Sequence, residues 1–239
     1  MKLDYYIFSS PGGREYNEDS ADMRSSDSAA VFVLADGLGG HRYGDLASAC
    51  AVDTILSYME QYDNPTDTYA TLYGALTAAN DRIVALQREK AARMKSTAVI
   101  LHMTADYAYW AHVGDSRLYH IYHNELRDIT EDHSVAFKKY KAGEITREMI
   151  ASDEDQSSLL RVLGTPGEVK PDMNYAPAEQ GDAYMLCSDG VWEYLYDEEV
   201  LLDYHKASSA REWAQLMLLR VMERIPPDND NLSMITVMT

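Results

Sequence analysis

The sequence has few cysteines and a deficit of basic residues. Its two cysteines, Cys50 and Cys187, lie in apolar stretches, which is typical of small core residues and excludes a disulfide framework. Lysine and arginine together number 21 against 39 acidic residues, which gives a formal net charge of −18. Coating nucleic acid or binding an anionic membrane requires clustered cations, so we expect neither partner.

Long hydrophobic runs are also absent from the sequence. No stretch approaches 18 consecutive apolar residues, and the N-terminal MKLDYYIFSS lacks the basic flank, apolar core and cleavage site of a secretory signal. We therefore expect a protein of the cytoplasm, in a reducing compartment.

What is present predicts a folded domain. Hydrophobic residues make up 46% of the 239 positions, and a chain of this size buries about 70% of its unfolded surface. Because repeats, low-complexity tracts and Gly/Ser linkers are missing, we expect a single domain over residues 1–239.

The apolar spacing changes along the chain and predicts both helices and strands. Spacings of three and four predict helices over residues 45–62, 67–95 and 208–224, the last capped by Ser208 or Ser209. Short apolar runs predict strands at 29–35, 183–187 and 232–239, and an antiparallel meander between 96 and 130. Residues 132–160 are polar with weak periodicity, which is typical of a mobile surface insertion.

Aspartates recur where these apolar runs end. They are Asp36, Asp115, Asp189 and Asp230, with the pair Glu18-Asp19 after a further glycine turn. Any one of them can be explained as ordinary turn chemistry. If the strand ends meet in one cleft, however, the carboxylates repel one another, and a cation is needed to offset them.

The candidate ligands in this set are all oxygens. Oxygen donors without clustered cysteine or histidine select Mg2+ or Mn2+ over zinc. At Gly37 the missing side chain would let the backbone carbonyl approach an ion. Two such ions can hold a bridging hydroxide and neutralise a phosphoryl oxygen, which is metal-assisted hydrolysis. Arg14 is the cation nearest in sequence, and its guanidinium suits a phosphate, although an isolated arginine is more often a surface residue.

Motifs of other phosphate chemistries are missing. No GxxxxGK[ST] occurs, so the glycines at 37–40 do not form a nucleotide P-loop. Neither Cys50 nor Cys187 is followed at the sixth position by the arginine of a Cys-x5-Arg loop. Leu34 stands two residues before Asp36, where a covalent Asp-x-Asp nucleophile would need an aspartate.

Six motifs in order resemble one known family. They are RxxNED at 14–19, ADGLGGH at 35–41, GDSR at 114–117, DHS at 132–134, SDG at 188–190 and DN at 230–231. Their order and spacing resemble the metal-dependent Ser/Thr protein phosphatases (PPM, type 2C), in the form of a bacterial-type stand-alone catalytic domain. The resemblance implies an α+β fold, a four-layer αββα sandwich of two antiparallel β-sheets flanked by helices, with a flap insertion at about 132–160.

The resemblance also assigns metal ligands. Asp36 would bridge two Mn2+ or Mg2+ ions, and the Gly37 carbonyl would bind the first. The second ion would be held by Asp19, Asp189 and Asp230, with Glu18 in support. A third, weaker ion would be shared by Asp115 and Asp189.

The catalytic residues implied by the resemblance are Asp36, Arg14 and His41. Arg14 would hold the substrate phosphate, and His41 would protonate the leaving alkoxide as general acid. The implied reaction is direct attack of a metal-bridged water on phosphoserine or phosphothreonine of a protein. The implied partners are phosphorylated proteins and a cognate Ser/Thr kinase, and we expect a monomer. Thr97 matches a position of structural role in the family.

Two alternatives stay open at the level of sequence. One is a non-catalytic phosphoprotein-binding module of the same fold, and the other is a small-molecule phosphomonoesterase. The residues after Asp132-His133-Ser134 depart from the family pattern, where SDEDQSSLLRVLG at 152–164 replaces the usual segment up to the LG motif. Substrate selectivity carried by the flap therefore does not transfer from the family.

Overall fold

Two antiparallel sheets form the centre of the fold in the computed structural model, which describes residues 3–39, 43–62 and 67–239. The first sheet has the order β1 (Asp4–Ser10), β11 (Leu232–Met238), β10 (Ala183–Cys187), β7 (Arg117–Tyr122) and β8 (Glu125–Ile129). The second has the order β2 (Asp19–Ser25), β3 (Ala29–Leu38), β5 (Ala98–Thr104), β6 (Tyr107–Val113) and β9 (Asp172–Pro177). A two-residue strand, β4 (Lys95–Ser96), pairs with the end of β3.

Helices cover the outer face of each sheet. The second sheet packs against α1 (Gly44–Glu60) and α2 (Thr68–Lys90), and the first against α5 (Asp197–Lys206) and α6 (Ala210–Arg224). Two shorter helices are α3 (Val135–Lys141) and α4 (Asp189–Trp192). The predicted four-layer αββα sandwich is therefore confirmed. None of the helices in the described ranges combines the length and the apolar character that crossing a bilayer needs.

The apolar run of β3 is continuous because both of its faces are buried. Val31 and Val33 face the helical layer of α1 and α2, while Phe32 and Leu34 face the other sheet. Successive side chains of a strand point to opposite faces, so a strand between two apolar layers needs apolar residues at every position.

Helix ends differ from the predicted limits for local reasons. The Asp67 side chain accepts a hydrogen bond from Ala70 N at 3.0 Å and caps α2. That helix ends at Lys90 rather than Lys95, because Ala91 adopts a left-handed conformation and the chain then enters β4. In α6, Ser209 is the cap, one of the two residues predicted.

The predicted meander is wrong in one respect. β5 and β6 form a hairpin in the second sheet, and β7 and β8 form a hairpin in the first. The GDS segment between β6 and β7 therefore crosses from one sheet to the other, and Gly114 has a positive φ of 109° there. β1 and β2 and helix α5 were missed because their sequences lack a clear apolar alternation.

The two ends of the flap segment, residues 132–160, lie side by side and are joined by backbone hydrogen bonds. We call this junction the neck of the flap segment. Ser134 caps α3 by accepting from Phe137 N. At the neck, Val135 N donates to Ser158 O at 3.0 Å, and Leu160 N donates to His133 O at 2.7 Å. Between them lies a 3₁₀ helix over Arg147–Ser152.

Candidate active site

Five aspartates from five separate segments meet at one end of the sandwich. Asp19 begins β2, Asp36 lies near the end of β3, Asp115 follows β6, Asp189 begins α4 and Asp230 precedes β11. Each of the other four acts electrostatically on Asp36. The tertiary structure thus brings together the set that the sequence predicted, in a single cleft.

Thr97 fixes the part of β3 that carries Asp36. Its hydroxyl accepts the hydrogen of Asp36 N at 2.8 Å, and Thr97 N donates to the carbonyl oxygen of Asp36 at 2.8 Å. The same hydroxyl lies 2.7 Å from the hydroxyl of Ser116 in the GDS crossover. Asp36 is therefore fixed to the segment that carries Asp115, which is the structural role expected for Thr97.

Gly37, near the end of β3, packs against Gly44, the first residue of α1. A Cβ at this position would collide with the Gly44 carbonyl oxygen. A Cβ at Gly44 would in turn lie 2.6 Å from the carboxyl carbon of Glu18 and 2.7 Å from the Gly37 carbonyl oxygen. Two glycines thus bring the Gly37 carbonyl and the Glu18 carboxylate together, which makes room for an ion contacted by a backbone oxygen.

Two serines and an asparagine position the Glu18-Asp19 pair. The Ser188 hydroxyl donates to Asp19 Oδ2 at 2.8 Å, and Ser233 N donates to the Ser188 hydroxyl oxygen. Glu18 N donates to the Asn231 side-chain oxygen at 2.7 Å. The three segments around residues 18, 188 and 231 are therefore joined by hydrogen bonds beneath the carboxylates.

The carboxylates are held where ionisation is costly. Burial and the neighbouring aspartates raise the pKa of Asp19 to about 7, and burial followed by Asp230 raises the pKa of Asp189 to about 6. Burial, followed by the charge of Asp189, also raises the pKa values of Asp36 and Asp115 well above the usual range of an aspartate. Such a cluster fits a cation, because a cation removes the repulsion and stabilises every ionised member at once.

Arg14 is at the rim of the aspartate cluster. Its Nη2 lies 3.1 Å from Asp230 Oδ2, and both side chains are about half exposed. The guanidinium is therefore accessible from solvent beside the cluster, where a phosphate would approach. His41 and its neighbours Gly40 and Arg42 lie outside the described residues.

Asp115 is backed by a buried pair that the sequence did not reveal. The Trp192 ring nitrogen donates to the Asp115 carbonyl oxygen at 2.9 Å. The Arg117 guanidinium lies 3.5 Å from the centre of the Trp192 ring and donates twice to Asp132, at 2.7 and 2.6 Å. The GDSR and DHS motifs are thus joined through a bidentate ion pair.

A second group of possible metal ligands lies outside the aspartate cluster, and Arg161 contacts two of its three members. His112, His133 and Asp172 come together near the neck of the flap segment. Gly114 N donates to His133 Nδ1, and His133 Nε2 lies 3.0 Å from Arg161 Nη1 and 3.3 Å from Asp172 Oδ2, so both ring nitrogens already have protein partners. Arg161 Nη1 reaches Asp172 at 2.7 Å and neutralises it. These contacts are structural rather than those of a metal centre.

Sequence reasoning gave no role to several residues at the site. Glu193 stands four residues after Asp189, and burial together with Asp189 and Asp230 raises its pKa to about 8. The four-residue spacing on a helical turn could have identified it. The supporting roles of Ser188 and Asn231 depend on long-range contacts, which no local pattern reports.

Comparison with known proteins shows the family. The family model for Protein phosphatase 2C matches residues 13–219, and the chain therefore belongs to the protein phosphatase 2C family. It is 32% identical to the serine/threonine phosphatase stp of Listeria welshimeri over 193 residues, which cover 78% of this chain and 77% of that protein.

Two solved structures are similar over nearly the whole chain. Serine/threonine phosphatase Stp1 from Staphylococcus aureus has a TM-score of 0.88 at 26% identity, covering 100% of this chain and 96% of the other. The catalytic domain of serine threonine protein phosphatase PstP, solved in complex with two manganese ions, has a TM-score of 0.85 at 27% identity, covering 99% and 97%.

Proposed function

We propose that this protein is a metal-dependent protein serine/threonine phosphatase that hydrolyses phosphoserine and phosphothreonine on proteins. The observation that carries the proposal is the convergence of five aspartates, four with raised pKa values, at one end of the sandwich. Family membership supports the same activity.

The aspartate cluster and its neighbours would hold two divalent ions. In this proposal Asp36 would help to hold both ions, and the Gly37 carbonyl oxygen would help to hold one. Asp19, Asp189 and Asp230 would hold the other ion, with Glu18 in support, and Asp115 and Asp189 would hold a weaker third ion. When bound, the ions supply an activated water and neutralise charge on the phosphoryl oxygens. The all-oxygen donor set suits Mn2+ and Mg2+ alike.

The other proposed catalytic residues bind and protonate the substrate. Arg14 binds the substrate phosphate through its exposed guanidinium, which orients the phosphoryl group toward the aspartates. His41 donates the proton that the leaving alkoxide requires. The substrates are phosphorylated proteins of the cytoplasm, a cognate Ser/Thr kinase supplies them, and the protein acts as a monomer.

Hydrolysis of a phosphothreonine peptide by the purified protein tests this function. We expect turnover with Mn2+ and none with EDTA. Asp36→Asn should lower kcat by about a thousandfold or more, since it removes the residue proposed to contact both ions. The matched control is Asp81→Asn, the same change on the exposed face of α2, which should leave kcat unchanged.

The outcomes separate the proposal from its alternatives. Full turnover by Asp36→Asn in a folded sample would contradict the metal site. Binding of the phosphopeptide without turnover under any divalent ion would favour the non-catalytic module. A higher kcat/KM on sugar phosphates than on phosphopeptides would favour the small-molecule phosphomonoesterase.

A further inference from the structure

A cavity of about 430 Å³ lies beside the aspartate cluster. One wall is the 3₁₀ helix of the flap segment, and the other is the chain from Trp192 to Glu198. Its floor adjoins the cluster, because Trp192 bonds to the Asp115 carbonyl and Glu193 N donates to the Asp189 carbonyl. We call this space the flap cavity.

An extended peptide bound at the aspartate cluster is long enough to reach the flap cavity. Glu193 directly follows α4, four residues beyond Asp189, which corresponds to about 6 Å along a helix. An extended peptide advances about 3.3 to 3.6 Å per residue, so this distance corresponds to about two residues. A substrate whose phosphate is at the aspartates would therefore present to Glu193 a residue about two positions from the phosphorylated one, and the next residue to the rest of the flap cavity.

The arginines that line the cavity are already paired with carboxylates. Arg117 pairs with Asp132 at 2.6 Å. Arg147 pairs with Asp197 at 2.5 Å, and the guanidinium of Arg224 pairs with Glu199. Each of these positive charges is thus neutralised before any ligand enters.

Three carboxylates that line the cavity have no such cation. Within the described part of the chain, no lysine or arginine forms an ion pair with Glu148, Glu193 or Glu198. Glu148 and Glu198 are exposed, whereas Glu193 is half-buried, and its pKa of about 8 leaves it mostly protonated at neutral pH. The excess charge of the flap cavity is therefore negative and comes from Glu148 and Glu198.

The remaining walls match the stem of a long basic side chain. Ile150, Ala151 and Leu195 provide apolar surface, against which the aliphatic stem of a lysine or arginine packs well.

We propose that the flap cavity is a specificity subsite that takes a lysine or arginine side chain two or three residues from the phosphorylated residue of the substrate. This inference rests on the proposed phosphatase function and adds a substrate class to it. Acidic flanking residues are disfavoured, because Glu148 and Glu198 line the cavity and Arg147 is already paired with Asp197.

A peptide panel tests the subsite. Phosphothreonine peptides on an alanine background carry one arginine, norleucine or glutamate at each position from four before to four after the phosphothreonine, and kcat/KM is measured with Mn2+. At a position two or three residues away on one side, we expect arginine to exceed norleucine by about tenfold and glutamate to fall below norleucine. The difference should shrink as ionic strength rises.

Matched variants assign the preference to the cavity. Glu148→Gln with Glu198→Gln should reduce the preference for arginine to about twofold or less and leave hydrolysis of p-nitrophenyl phosphate, which has no flanking residues, unchanged. The control pair is Glu125→Gln with Glu168→Gln, the same charge change at exposed positions that do not line the cavity, and it should keep the full preference.

Each result decides one question. Equal kcat/KM for arginine and norleucine at every position overturns the subsite, as does a preference for glutamate, which would mean that Arg147 selects acidic residues. A preference for arginine that survives Glu148→Gln with Glu198→Gln also overturns it. No metal-dependent hydrolysis of any peptide or of p-nitrophenyl phosphate would instead overturn the proposed function.

Discussion

Asp19 and Asp36 are directly opposite each other across the antiparallel β2–β3 pair. Like charges in this position destabilise a sheet, and here Asp19 is buried, Asp36 is half-buried, and the pKa values of both carboxyls are raised. The stability of the rest of the fold therefore offsets the repulsion between the carboxylates of the aspartate cluster. Bound cations would turn that repulsion into attraction, so metal binding and stability are expected to be coupled.

The first prediction concerns the pH dependence of stability without metal. The folded-state pKa of Asp19 is about 7 and that of Asp189 about 6, both above the usual value of 3.8. Between about pH 4 and 7 the unfolded chain releases protons that the folded chain retains. Deprotonation thus favours unfolding, and the contribution present below pH 4 is lost as the pH rises to 7. Urea unfolding in EDTA should show this fall in the free energy of unfolding.

Mn2+ should reduce or reverse that fall. Metal ligands bind in their deprotonated form, so metal binding strengthens over the same pH range. Asp19→Asn should flatten the pH dependence measured in EDTA, and Asp81→Asn on the exposed face of α2 should not. Equal pH dependence of the parent protein and Asp19→Asn in EDTA would contradict the raised pKa of Asp19. The lowered pKa of His133, about 4, acts in the opposite direction between pH 4 and 6.5, and that of Glu199, about 2, does so below pH 4.5, but both are common to the two proteins.

The second prediction is that Gly37→Ala disturbs both the fold and the metal site. The added Cβ meets backbone atoms of Gly44, which cannot move without shifting the start of α1. We expect a loss of about 1 to 3 kcal/mol in the free energy of unfolding, together with weaker Mn2+ binding by isothermal titration calorimetry.

Gly74→Ala is the control for that substitution. Its Cβ meets only the far end of the Tyr58 side chain, which can move aside, and alanine is the better helix former within α2. Its stability and Mn2+ affinity should stay close to those of the parent protein. Parent-like Mn2+ binding by Gly37→Ala would show that the close approach at residue 37 does not matter to the site.

The third prediction concerns the buried ion pair of Arg117 and Asp132. Both side chains are nearly inaccessible to solvent, and the pair is bidentate. Asp132→Asn leaves the guanidinium charge buried without its partner and should cost about 3 to 5 kcal/mol in urea unfolding. Glu89→Gln removes the exposed pair with Arg82 and should cost less than about 1 kcal/mol. Similar losses in the free energy of unfolding for the two substitutions would mean that burial does not determine how much an ion pair contributes to stability.

The fourth prediction separates Arg14 from the stability of the fold. Arg14 is half exposed and, among the residues that the structure describes, forms an ion pair only with the half-exposed Asp230. Arg14→Ala should therefore change the free energy of unfolding by less than about 1 kcal/mol. It should lower kcat/KM on a phosphopeptide by about 10- to 100-fold, mainly through KM, since it removes a phosphate contact. Arg88→Ala on α2 is the control. An unchanged KM in Arg14→Ala would place the phosphate elsewhere.

Much of the fold is readable from the sequence where one local pattern is strong. The apolar run of β3, the spacing in α1 and α2 and the strands β5, β6 and β10 all appear as predicted. The edge strand β2 was missed because its residues, DSADMRS, are mostly polar. Local sequence patterns also do not predict which hairpins share a sheet. The GDS segment has the same turn-forming residues whether it closes a hairpin or crosses from one sheet to the other.

The sequence by itself determined the chemistry of the site. Aspartates after apolar runs, the absence of competing motifs and the order of six motifs identify the carboxylates, the glycine at 37 and Arg14. These are properties of residue type and local spacing, which a sequence records directly.

Only the tertiary structure decided how those residues are supported and what surrounds them. Ser188 reaches Asp19 across 169 positions, and Arg117, Asp132 and Trp192 assemble behind Asp115. The flap cavity likewise exists only because the 3₁₀ helix folds back onto the chain after α4. Such contacts depend on how layers pack and which charges are neutralised, and distant residues meet only when the whole core has formed.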